Sequence, residues 1–83
     1  MAKKLSKRFL VKDSGLVLDL VTGRNFTLNA TGLTIFRGFI AGLSVDELLD
    51  ELCREFAVDR KVAQRDLDEF MNDLRVFGID ESR

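Results

Sequence analysis

The sequence predicts an α+β domain in which a three-stranded antiparallel sheet is followed by three helices. Three observations carry that prediction. Apolar residues alternate with period two over residues 16–21, the spacing of a half-buried strand. From Leu33 onward they recur every three or four residues, the spacing of amphipathic helices. Stop and start signals, Ala41-Gly42 and then Ser44-Val45-Asp46-Glu47, divide that helical stretch. With 83 residues and 46% hydrophobic content, the chain is expected to form a single domain over 1–83, with an ordered core at about 8–79.

Phe9-Leu10-Val11-Lys12 reads as the first strand and Asp13-Ser14-Gly15 as the turn after it. In the second strand, residues 16–21, Leu16, Leu18 and Leu20 share one face and Val17, Asp19 and Val21 the other. Val17 and Val21 are assigned to the outward face, where they would suit a homodimer contact. Thr22-Gly23 is read as a two-residue hairpin connection, because glycine tolerates positive φ. The third strand covers residues 24–28, with Phe26 and Leu28 inward and Asn25 and Thr27 outward.

Asn29 is the expected N-cap of the first helix, with Thr31 as the competing cap. Leu33, Phe36, Phe39, Ile40 and Leu43 supply its buried stripe, and Gly42 ends it. Ser44 and Glu47 form a capping box for a second helix whose apolar face is Val45, Leu48, Leu49, Leu52 and Phe56. Asp59 caps a third helix with Ala63, Leu67, Phe70, Leu74 and Phe77 inward, closed by Gly78 and Ile79. A strand running into a helix-turn-helix gives the whole a winged helix-turn-helix-like layout.

Composition narrows the function. The chain has no His, Trp or Tyr, and one cysteine. Lack of His removes the commonest general base and metal ligand. Cys53 has no imidazole to activate it and lies beside Leu49, Leu52 and Phe56, as a small packed side chain would. Asp46, Glu47, Asp50 and Glu51 fall on the solvent face of the second helix. No phosphate-cradling glycine loop is present, and Gly32, Gly38 and Gly42 are scattered within or at the end of a helix. The expectation is a non-enzyme without catalytic residues, metal or cofactor. No apolar run reaches the ~20 residues of a membrane span, and a cytoplasmic location is expected.

A domain of this layout binds something long and thin, nucleic acid or peptide. Residues 1–43 carry seven basic and two acidic side chains, residues 44–83 six basic and twelve acidic. DNA-reading helices are rich in Arg and Lys, since phosphate neutralisation supplies most of the affinity. Here Arg60, Lys61, Arg65 and Arg75 are opposed by Asp59, Asp66, Asp68, Glu69 and Asp73. A small DNA-binding regulator, using Lys3, Lys4, Lys7 and Arg8 as an arm, stays as the alternative. The peptide reading uses the free edge of the third strand as a template for an added strand, with a groove between strand and helix for apolar side chains.

The order and spacing of several segments add to this. Phe26-Thr27-Leu28-Asn29-Ala30-Thr31-Gly32-Leu33-Thr34-Ile35-Phe36 resembles the Leu-Asn-x-Thr-Gly-x-x-Ile-Trp segment of the PqqD-like family, with Phe36 at the position where Trp is frequent. Gly42-Leu43-Ser44-Val45-Asp46-Glu47-Leu48 resembles its helix junction. Phe56-Ala57-Val58-Asp59, then Asp66, Phe70, Leu74 and Gly78-Ile79, resemble its closing pattern. The similarity runs over roughly residues 9–79. Members of that family are recognition elements for ribosomally synthesised, post-translationally modified peptides (RiPPs). They capture the leader of a precursor peptide and present it to a modifying enzyme, often a radical S-adenosylmethionine protein. The resemblance implies the same partners here, a leader peptide and a radical enzyme, and neither nucleic acid nor membrane. It places the leader on Asn25, Phe26, Thr27 and Leu28, against a wall that includes Asp66, Phe70, Asp73 and Leu74. Of these, Phe70 and Leu74 also fit the buried stripe, so Asp66 and Asp73 are better placed to touch a basic or polar leader side chain.

Overall fold

The computed structural model of the protein describes residues 7–76. Six elements follow in order: β1 (Phe9–Val11), β2 (Leu16–Asp19), β3 (Asn25–Thr27), α1 (Ala30–Ala41), α2 (Val45–Phe56) and α3 (Arg60–Val76). The strands form one antiparallel sheet in the order β1-β2-β3. This is the expected three-strand, three-helix architecture, with the strands shorter at their ends than the alternation suggests. Phe77, Gly78 and Ile79, expected to close α3, lie outside the described residues, as do Lys3 and Lys4.

Three strands of three or four residues cannot stand alone, and the sheet is stabilised by one apolar cluster shared with the helices. Phe9 and Val17 of the sheet meet Ile35 and Phe36 of α1, Leu48, Leu49 and Leu52 of α2, and Ala63, Leu67, Phe70 and Leu74 of α3. Phe36 is fully buried at its centre. Its ring lies 5.0 Å from Phe9, 6.0 Å from Phe26 and 6.1 Å from Phe70, all edge-on, and 6.4 Å from Phe39. Edge-on rings match the positive rim of one to the negative face of the next. Cys53 packs half-buried against the same cluster.

The facing of β2 is opposite to the sequence expectation. Val17 and Asp19 point inward, and Val17 is completely buried, which removes it as a dimer contact. Leu16 and Leu18 are half-buried on the outer face, while Leu20 and Val21 lie past the strand and are exposed. The physical reason is an ion pair. Arg8 grips Asp19 with two hydrogen bonds, Nε to Oδ1 at 2.9 Å and Nη2 to Oδ2 at 2.7 Å. The Val21 N–H donates to Asp19 Oδ1 at 3.0 Å. A carboxylate so satisfied can face the interior. The β2–β3 connection is accordingly longer than two residues. It runs from Leu20 to Arg24, closed by Gly23 N–H to Asp19 O (2.8 Å) and Asp19 N–H to Arg24 O (2.8 Å).

The β1–β2 turn lies across the end of β3. Gly15, at φ +98°, accepts the Leu28 N–H at 2.8 Å, and a Cβ there would sit 2.2 Å from the Leu28 carbonyl oxygen. No other residue fits that approach.

Helix boundaries follow the capping chemistry. Asn29, not Thr31, caps α1: its Oδ1 accepts the Gly32 N–H at 2.8 Å. Gly42 closes α1 in the left-handed conformation. Ser44 and Glu47 form the reciprocal capping box of α2, and Asp59 Oδ1 accepts the Val62 N–H at 3.0 Å to open α3. Two expected stripe positions, Leu43 and Val45, are exposed, because they sit at the tight α1–α2 junction. They border an apolar cleft with Phe39, Leu48, Leu67 and Met71. Ile35, absent from the expected stripe, is fully buried.

Ala57 ends α2 at φ 54°, a conformation disfavoured for any residue with a Cβ. Ala57→Gly is therefore expected to stabilise the domain by about 0.5–1 kcal/mol, after the greater freedom of glycine in the unfolded chain is counted. Thermal melts check this: a Tm at or below the parent's contradicts it.

Candidate peptide-binding groove

β3 is an edge strand, and its register shows which backbone groups it leaves open. Leu16, Val17 and Leu18 pair with Thr27, Phe26 and Asn25. The same ladder is flanked by Asp19 N–H to Arg24 O and Leu28 N–H to Gly15 O, both 2.8 Å. In an antiparallel pair, hydrogen-bonded and non-hydrogen-bonded positions alternate. Arg24, Phe26 and Leu28 thus turn their backbone groups toward β2 and the turn before it. Asn25 and Thr27 turn theirs to the open edge.

That edge runs into a groove of about 260 Å³. One wall is the end of β3 and the residue after it, Thr27, Leu28 and Asn29. Its floor is the first turns of α1, Thr31, Gly32 and Ile35. Its far wall is α3, with Asp66, Glu69 and Asp73, and the Phe70 ring of the same helix reaches the floor beside Gly32. The volume suits one or two side chains rather than a whole small ligand. The three elements converge at Gly32. A Cβ there would lie 3.4 Å from Phe70 Cε1, 3.4 Å from Leu28 Cβ and 3.3 Å from Asn29 Oδ1. The Asn29 cap turns the chain sharply from β3 into α1 at the rim.

Of the eight residues expected at the site, Thr27, Leu28, Asp66, Phe70 and Asp73 are brought together around the groove. Asn25 is exposed on the strand edge beside it. Phe26 is half-buried and packs on the core, and Leu74 is buried in it, so both support the site from behind. Phe70 is itself core, as its place in the stripe suggests, with its ring at the groove floor. Asn29, Thr31, Gly32, Ile35 and Glu69 are additional groove residues. Asn29, Thr31, Gly32 and Ile35 fall in the family-like segment that follows the third strand, and Glu69 lies three residues from Asp66 on the same helix face.

The groove is acidic. Among the described residues, three carboxylates line it and no Lys or Arg does. At the start of α3, Arg60 is held by two α2 carboxylates, Asp50 at 2.8 Å and Asp46 at 2.9 Å. Hydrogen bonding to Asp50, and then to Asp46, raises the guanidinium pKa further above its ordinary value. Of the eight cations considered for DNA contact, Arg60 and Arg8 are engaged within the fold. Among the described residues, no helix is long and apolar enough to cross a membrane.

Together these features define a small winged helix-turn-helix-like domain with an open sheet edge set beside a helix-walled, acidic groove. The family model for coenzyme PQQ synthesis protein D (PqqD) matches residues 15–78, and the chain belongs to that family. Among solved structures it is similar to one described as TbiB1 in complex with the TbiA(beta) leader peptide. The TM-score is 0.77 at 32% identity, over 90% of this chain and 88% of that one. No curated protein matches the sequence.

Proposed function

We propose that this protein is a non-catalytic RiPP recognition element. It takes up the leader of a ribosomally made precursor peptide as a fourth strand on β3 and presents it to a modifying enzyme in the cytoplasm. A radical S-adenosylmethionine enzyme is the partner that fits the family. The observation that carries the reading is the outward turn of the Asn25 and Thr27 backbone groups at the mouth of the groove. An extended peptide there gains main-chain hydrogen bonds on one side and side-chain contact with α3 on the other. Membership of the PqqD family and likeness to a structure solved with a leader peptide support the same conclusion.

Thr27→Pro tests it with the fold left in place. The Thr27 N–H faces away from β2, so proline removes a donor from the open edge and none from the β2–β3 ladder. We expect a Tm close to the parent's and affinity for the leader encoded beside the gene reduced roughly 30- to 100-fold, about 2–3 kcal/mol. Calorimetric titration of both proteins reads this. Equal Kd values overturn the strand-addition reading.

A further inference from the structure

The groove also specifies the charge of its occupant. Asp66, Glu69 and Asp73 line it, and among the described residues no Lys or Arg makes an ion pair with any of them. Elsewhere the carboxylates Asp13, Asp19, Asp46, Asp50 and Glu51 are each paired with an arginine. An acidic wall left unpaired beside an open strand edge is complementary to a cationic strand. Spacing narrows this further. Glu69 and Asp73 are four residues apart on α3, a rise of about 6 Å. Same-face side chains of a strand recur at about 6.7 Å, every second residue.

We propose that the peptide seated on β3 carries two basic side chains, Lys or Arg, two residues apart on the face turned to α3, where they pair with Glu69 and Asp73 while Asp66 adds to the field. This rests on the strand-addition reading and adds a sequence rule to it. The rule separates this site from one that selects apolar side chains alone, and it favours fast encounter with a basic leader.

The test is a display selection of random 12-residue peptides on three full-length proteins: the parent, Thr27→Pro, and the triple variant Asp66→Asn, Glu69→Gln, Asp73→Asn. Recovered peptides are synthesised and their Kd values measured. The expected result is enrichment of Lys or Arg at positions i and i+2 on the parent. Those peptides should bind the triple variant about tenfold or more weakly, with the penalty shrinking in high salt. Far-UV circular dichroism confirms that the triple variant is folded. Peptides that need an intact Thr27 edge yet show no basic pair, or bind the triple variant equally, overturn the charge rule and leave strand addition standing. Peptides that bind Thr27→Pro as well as the parent, or the recovery of no peptide at all, overturn strand addition and the charge rule with it.

Discussion

Replacing Phe36 with alanine is expected to cost about 4 kcal/mol, a third or more of the stability of a domain this size. Phe36 is completely buried, and its ring touches four others, Phe9, Phe26, Phe39 and Phe70. These partners come from β1, β3, α1 and α3, so no single element can close over the space. A cavity persists and its lining loses dispersion contacts, which adds to the lost transfer energy. An 83-residue domain has a total stability of only about 4–12 kcal/mol. Urea unfolding followed by circular dichroism should show a much lower midpoint with a similar slope. A loss below about 1 kcal/mol would mean that the core can be repacked without this ring. The variant also bears on function. Phe36 holds Phe26 behind the strand edge and Phe70 at the groove floor, so leader affinity should fall even in the fraction that stays folded.

Much of the fold was legible because its signals are local. Asn29, Ser44 with Glu47, Gly42 and Asp59 fix helix ends through contacts within a few residues, and each acts as its chemistry suggests. The facing of β2 was not legible. Two alternating sets, Leu16/Leu18/Leu20 and Val17/Asp19/Val21, compete for the core, and the leucine set is the more apolar. What decides is Arg8, eleven residues before Asp19, and a side-chain pairing across that distance leaves no periodic trace. Ile35 shows the same limit. It falls between the positions of the expected stripe, and only the packing of α1 against both sheet and α3 widens the buried face to include it.

For the candidate site, the strand edge is a matter of alternation and could be read directly, and the inward stripe of α3 leaves Asp66 and Asp73 beside it. The groove floor depends on how closely α1 approaches α3. Gly32 lies where they meet, and a Cβ there would be in van der Waals contact with Phe70 and Leu28, each at 3.4 Å. A glycine three residues after a cap reads as a weak helix position. Here it is buried between the start of α1, the end of β3 and the middle of α3.

Asp19→Asn is expected to destabilise the domain by about 3 kcal/mol at neutral pH, lowering Tm by roughly 15 °C. Asp19 is only 4% exposed, and Arg8 is about one quarter exposed. Removing the charge leaves a guanidinium partly withdrawn from water without its counter-ion. It also weakens the hold on the Val21 N–H and so on the turn that leads into β3. The Arg8 hydrogen bonds, with those from Val21 and Thr22, outweigh burial and hold the Asp19 pKa far below the ordinary 3.8 of an aspartate. The folded state therefore binds this proton less readily than the unfolded state. The contribution of the pair is complete well above pH 3.8 and declines as pH falls below that value toward the folded pKa. The stability difference between parent and variant should be constant from about pH 5 to 8 and narrow steadily below pH 4. Denaturation of both proteins across that range isolates the pair from the other carboxylates, which titrate in both. A difference that stays flat down to pH 2.5, or that narrows as pH rises, would show that the ionised pair is not what stabilises the parent over the variant. If the variant melts with the expected loss, its turn loosens with it, and the Asn25–Thr27 edge proposed to receive the peptide loses its fixed register.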